Sequence, residues 1–195
     1  MVTPEARGQE PSSEPSAVAR PPLPALLPTD GLRVLVLAAG LGVFAGSLLD
    51  FGLTTRGLIG AVFCPALVLL AAIDARHRLL PNTIVLPTTL AVAVIILAGA
   101  PSSFPRHLLA ATALGLFFLA SALLFAGSVG VGDAKLGFLI GLALGSRTFA
   151  AVIYASAGLL VAAIYILAKR GTSARKDVIP FGPFLAAGGI LAFFL

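Results

Sequence analysis

Beyond residue 30 the chain holds only four acids, Asp50, Asp74, Asp133 and Asp177. Two of them are placed to do chemistry. Asp74 closes an apolar run that includes Val68 to Ile73, and Asp133 opens another inside Gly130-Val131-Gly132-Asp133-Ala134-Lys135. Both fall at helix ends on one side of the topology derived below. Like charges brought close together cannot both ionise, so one carboxyl keeps its proton and the other loses it. The ionised group can take a proton from water while the protonated group polarises a scissile carbonyl. The product is a tetrahedral diol with no covalent intermediate, which is aspartic proteolysis. Asp50 reads as an outer helix end that meets water. Asp177, beside Arg175 and Lys176, reads as a solvated loop charge.

The neighbours of the two acids support that chemistry and also admit a plainer reading. Gly130 and Gly132 remove side chains where a substrate backbone must come close, and they permit unusual torsions. Amides following Asp133 at a helix start would stabilise its carboxylate. The plainer alternative is a glycine-rich turn in which Asp133 only caps a helix. After Asp74, Arg76, His77 and Arg78 read as a basic anchor at the membrane face, with proton transfer by His77 as the alternative. Pro81 and Asn82 end the loop and open the next helix. A single cysteine, Cys64, excludes an internal disulfide and a multi-cysteine zinc site.

Something must position these acids, and the composition says what. Hydrophobic residues make up 58% of the 195 and charged residues 11%. The mean hydropathy is +1.06. Those values exclude an ordinary soluble globule, a disordered chain and a large extramembrane domain. The pI of 10.2 does not signal nucleic acid, because the basic residues are scattered between apolar runs. The expected architecture is all-α, a polytopic transmembrane helical bundle in the lipid bilayer.

Seven spans are expected, at about 31–50, 57–74, 83–100, 107–127, 134–146, 148–168 and 180–195. The fifth is short, about 20 Å of helix, and is kept as a crossing. Residues 1–30 hold seven prolines, no apolar run and no secretory-signal pattern, and read as a disordered tail. Ten Lys and Arg fall on one side of this topology and three, Arg56, Arg106 and Arg147, on the other. The positive-inside bias then makes the N-terminus and both acids cytoplasmic. A re-entrant fifth span would destroy that bias. Gly137, Gly141 and Gly145 form a small-residue stripe that lets a neighbouring helix approach.

With these elements in place the motifs resemble the type IV prepilin peptidase family. Asp74 followed by a basic stretch and Leu80-Pro81-Asn82 matches one family pattern. Gly130-Val131-Gly132-Asp133-Ala134-Lys135 matches the Gly-x-Gly-Asp-x-Lys pattern. Pro180-Phe181-Gly182-Pro183-Phe184 matches a third, at the opening of the last span. The resemblance covers residues 31–195 and implies a transmembrane aspartic peptidase domain in the cell membrane, with its active site at the cytoplasmic face. It implies cleavage of the basic leader of prepilins or pilin-like proteins after a glycine. Asp74 and Asp133 carry over as the catalytic pair, with Gly130, Gly132, Lys135, Pro81 and Asn82 as supporting residues. No metal or organic cofactor is implied. Many bacterial members carry a cysteine-rich insert between the first two spans, associated with N-methylation. Here about six residues separate those spans, so the chain resembles the short peptidase-only branch that serves tight-adherence pili or preflagellins.

Two readings from other classes stand beside this one. A small proton-coupled transporter would use the acids as a relay, but it calls for acids nearer mid-membrane and an internal repeat, and neither is visible. A non-catalytic pilus-assembly protein of the same fold would have no need of two carboxylates there.

Overall fold

The computed structural model describes residues 30–124, 130–170 and 180–195, so the expectations for the proline-rich tail and for Asp177 lie outside the described residues. Seven α-helices are present among them: α1 (Asp30–Phe51), α2 (Thr55–His77), α3 (Asn82–Gly99), α4 (Phe104–Leu124), α5 (Val131–Leu144), α6 (Thr148–Arg170) and α7 (Gly182–Phe194). Short 3-10 turns at Pro101–Ser103 and Gly145–Arg147 lead into α4 and α6. Each expected span corresponds to one helix, with ends shifted by a few residues. The link between the first two helices is residues 52–54, shorter than the sequence suggested. Thr54 caps α2 by accepting from Gly57 N at 3.2 Å, which lets the helix start directly after the turn.

The helices alternate in direction. Thr55 at the start of α2 packs against Gly99 at the end of α3. His107 near the start of α4 bonds the Leu142 carbonyl near the end of α5. Arg56 bonds the Phe193 carbonyl at the end of α7. These residues form one end of the bundle. Asp74, Asn82, Asp133, Lys135 and Gly182 gather at the other. The fifth helix therefore runs from one end of the bundle to the other, as a crossing does.

Among the described residues five apolar stretches are long enough to span a bilayer, and one of them, Val131–Lys169, takes in α5 and all but the last residue of α6. Gly145 divides that stretch. It adopts φ +56°, and a side chain there would collide with the His107 ring. Glycine alone tolerates both constraints. The resulting α5 has 14 residues and α7 has 13, against about 20 for a full hydrocarbon crossing. Burial accounts for this. Ten of the 14 residues of α5 are buried, and α7 lies between α2, α5 and α6. Helices enclosed by protein do not have to match the hydrocarbon thickness themselves.

Close packing replaces the hydrophobic effect as the force between these helices, since lipid tails are as apolar as leucine. The glycine stripe serves that packing. Gly137 faces Phe118 and Leu114, and Gly141 lies against the backbone of Ala110 and Ala111, so the stripe's partner is α4. Gly188 receives Ala151 and Ala155 of α6 in the same way. Around this centre α1 is peripheral. Ser47 is its one buried residue, and leucines such as Leu49, at 84% exposure, face outward as lipid contacts do.

Candidate active site

Four polar residues are buried among the described ones: Ser47, Thr88, Asp74 and Asp133. Hydroxyls solve their own problem in a membrane helix. Ser47 donates to the Val43 carbonyl and Thr88 to the Ile84 carbonyl, both at 2.7 Å. An ionised carboxylate has only acceptors, so it needs a donor. Asp74 and Asp133 are 7% and 9% exposed, and each has found such a donor on a backbone.

Asp133 lies in the first turn of α5. Its Oδ2 accepts from the Gly130 amide at 3.2 Å. The stabilising amide thus precedes the acid, where the sequence suggested those that follow it. The plainer reading from sequence is partly realised, since Asp133 does close the first turn of α5. A second carboxylate lies within electrostatic range of it. Asp74, one turn before the end of α2, comes close enough to Asp133 for their charges to act on each other. Its carboxylate accepts from the backbone N–H of Gly182, the first residue of α7. Asp133 therefore sits at the positive end of α5, and Asp74, in the last turn of α2, lies beside the positive end of α7, which favours negative charge.

Small residues make the convergence possible. A β-carbon added at Gly182 would overlap the Asp74 carboxylate. One added at Gly132 would lie 3.1 Å from Leu80 Cδ1. Leu80 belongs to the loop after Asp74, so Gly132 lets that loop lie on the first turn of α5. This differs from the sequence expectation: the space over Gly132 is filled by the chain's own leucine, and neither Gly130 nor Gly132 has a positive φ.

The remaining motif residues join the two segments. Lys135 Nζ donates to Asn82 Oδ1 at 2.8 Å. Pro81 is the N-cap of α3, one position earlier than the first helical residue, and its carbonyl accepts from Ile84 and Val85. Arg78 ends α2 in a left-handed conformation, φ 51°, and its charge acts on Asp74. Arg76 and His77 are exposed beside it, and Asp50 is exposed at the opposite end. Among the described residues no cluster of three or more His, Cys, Asp or Glu is arranged to hold a metal ion.

Two contributors carried no assigned role in the sequence reading. Gly182 supplies a backbone donor, and Phe181 anchors the start of α7 on α4, its ring 5.6 Å from that of Phe118. The signal available was the Gly182-Pro183 pair opening the last apolar run, where proline starts a helix.

An all-helical bundle with two buried acids at one end defines a polytopic membrane protein. Its family follows from comparison with known proteins. The model of the type IV leader peptidase family matches residues 61–167, a segment that contains both acids. The chain belongs to that family. It is 34% identical over 153 residues to a prepilin leader peptidase/N-methyltransferase of Bacillus subtilis (strain 168), covering 77% of this chain and 61% of that protein. A protein of the same name from Burkholderia pseudomallei (strain 1026b) is 32% identical over 166 residues, covering 83% of this chain and 53% of that protein. The chain thus spans between half and two thirds of the length of these relatives. No solved structure matches it.

Proposed function

We propose that this chain is a membrane-embedded aspartic endopeptidase that removes the leader of type IV prepilins or pilin-like proteins. The observation that carries the reading is the meeting of Asp74 and Asp133, buried and each held by a helix-start amide. The names of the relatives supply the substrate class. The excess of Lys and Arg near the acid end supports a cytoplasmic active site and N-terminus in the cell membrane.

The reaction uses the pair as one unit. One carboxylate removes a proton from water, and the resulting hydroxide adds to the scissile carbonyl carbon. The other carboxylic acid gives its proton to the carbonyl oxygen, forming the diol. Collapse of the diol breaks the C–N bond: the proton taken from water passes to the leaving amine, and a diol hydroxyl returns its proton to the carboxylate that gave one, restoring the pair. The amides of Gly130 and Gly182 keep both carboxylates aimed as protonation changes hands. Asn82, Pro81, Lys135 and the two motif glycines hold the segments that carry the acids.

Of the two activities in the relatives' names, the peptidase is the one assigned here. The three-residue link between α1 and α2 and the single cysteine favour the peptidase-only branch.

The test is co-expression with a tagged prepilin from the same genome, following leader removal by gel shift and mass spectrometry. Wild type is expected to cut after a glycine. Asp74→Asn and Asp133→Asn, at equal membrane abundance, are each expected to lose at least about a thousandfold in rate. Cleavage that persists in both variants rejects the aspartic mechanism. The mass of the new N-terminus reports whether a methyl group is added, and an unmethylated product is expected.

A further inference from the structure

The opposite end of the bundle holds a cavity of about 260 Å³ that the proposed peptidase chemistry does not use. Two arginines, Arg56 and Arg147, and His107 line it, together with Thr55, Ser103 and Ser146. No aspartate or glutamate is among its lining residues. Arg147 is close enough to Arg56 for its charge to act on that guanidinium.

Their protein partner is a single acceptor. Arg56 Nη2 donates to the Phe193 carbonyl, and Arg147 Nη1 reaches the same oxygen at 3.5 Å. Capping the C-terminal end of α7 explains one guanidinium. It does not explain a second at a long distance from the same oxygen. Each guanidinium carries five N–H donors, so most of the donors in this pair are not used on that carbonyl. The Arg56 group is also held in place, its Cζ 3.9 Å from the Phe51 ring centroid and 5.4 Å from that of Phe193. The His107 ring is fixed by its 2.7 Å bond to the Leu142 carbonyl.

Two adjacent guanidinium groups beside hydroxyls, one of them held against the Phe51 ring, suit an oxyanion with several oxygens. A phosphate group can accept from both forks at once, and its charge relieves their mutual repulsion. The cavity lies at the helix ends, the level at which a bilayer places its headgroups.

We infer that the cavity lined by Arg56, Arg147 and His107 binds a phosphate group, presented by a lipid headgroup or by free phosphate. The inference is independent of the catalytic reading. The purified protein in a maltoside detergent provides the test, with thermal unfolding followed by a thiol-reactive dye. Cys64 is fully buried and reports unfolding when it becomes exposed. The additions are phosphatidylglycerol, a neutral glycolipid without phosphate, and inorganic phosphate against chloride at matched ionic strength.

Phosphatidylglycerol is expected to raise the melting temperature of wild type by about 5 °C at saturation, with the glycolipid giving much less. Arg147→Gln and Arg56→Gln are expected to lose most of that shift, and Arg106→Gln, a basic residue of the same end outside the cavity lining, to keep it. Stabilisation by inorganic phosphate as well assigns the site to the phosphate group itself; stabilisation by the lipid alone assigns it to a headgroup. Should Arg56→Gln fail to fold, the exposed Arg147 carries the test. Equal shifts in wild type and Arg147→Gln, equal effects of the two lipids together with no shift from inorganic phosphate, or no shift with either phosphate source would each overturn the inference.

Discussion

Lys135 Nζ donates to Asn82 Oδ1 at 2.8 Å, which joins the segment after Asp74 to the helix that begins beside Asp133. The bond is exposed, so its own contribution to stability is about 1 kcal/mol or less. It bridges the two segments that carry the acids. Small displacements of reacting groups are costly in rate. Lys135→Met and Asn82→Ala are each expected to lower kcat by about tenfold while shifting the melting temperature by only a few degrees. The double variant is expected to be little worse than either single one, as residues sharing one interaction behave. Additive losses in a double-mutant cycle would show that the two side chains act separately.

Gly182 sits where any side chain would meet the Asp74 carboxylate. Its amide also donates to that carboxylate. Gly182→Ala is therefore expected to displace either Asp74 or the start of α7, with a loss of about a hundredfold in kcat and a smaller change in KM. A purely structural role would lower the yield of folded protein without this split. Measuring both constants on the fraction that survives detergent extraction separates the two cases.

Gly141 tests the packing that carries Asp133. A β-carbon there would come within 2.5 Å of Ala111 Cα, and backbone cannot yield as a flexible side chain does. Gly141→Ala is expected to destabilise by about 1–3 kcal/mol. Gly158→Ala serves as a comparison, since its nearest neighbour is a Phe184 ring atom at 3.4 Å. It is expected to lower the melting temperature far less. Equal shifts in a thermal-unfolding assay would remove the close α4–α5 approach as a determinant of stability.

The sequence made the helices and the acids legible for one reason: charge is rare in this chain. Apolar runs without interruption have to be helices in a bilayer, and Asp74 and Asp133 stand out because so few acids compete with them. The stripe of Gly137, Gly141 and Gly145 was equally visible, although its partner α4 was not, since small residues invite any neighbour. What stayed hidden depends on tertiary docking. Gly182 acts through a backbone amide and leaves no side-chain signal at all. Gly132 looked like space for a substrate because nothing local says that Leu80 folds over it. The fifth helix, kept as a crossing, looked short for one because hydropathy cannot distinguish burial against lipid from burial against protein.

The pairing of Asp74 with Asp133 sets an expectation for pH. If the two share one proton in the active form, activity requires one carboxylate and one carboxylic acid together. Acidification protonates both and removes the base. Alkali ionises both and removes the acid. The profile of kcat/KM is expected to be bell-shaped, with each limb falling tenfold per pH unit well outside the optimum. Both limbs belong to the pair, so neither is assignable to one residue. Replacing either acid with asparagine is expected to abolish the whole profile. It is not expected to convert the profile to a single limb, because asparagine cannot give or take the proton. The measurement is a pH–rate series on the purified enzyme with a leader-peptide substrate, with folding monitored at each pH. A flat profile from about pH 4 to 9 would exclude a shared proton as the working state of the dyad.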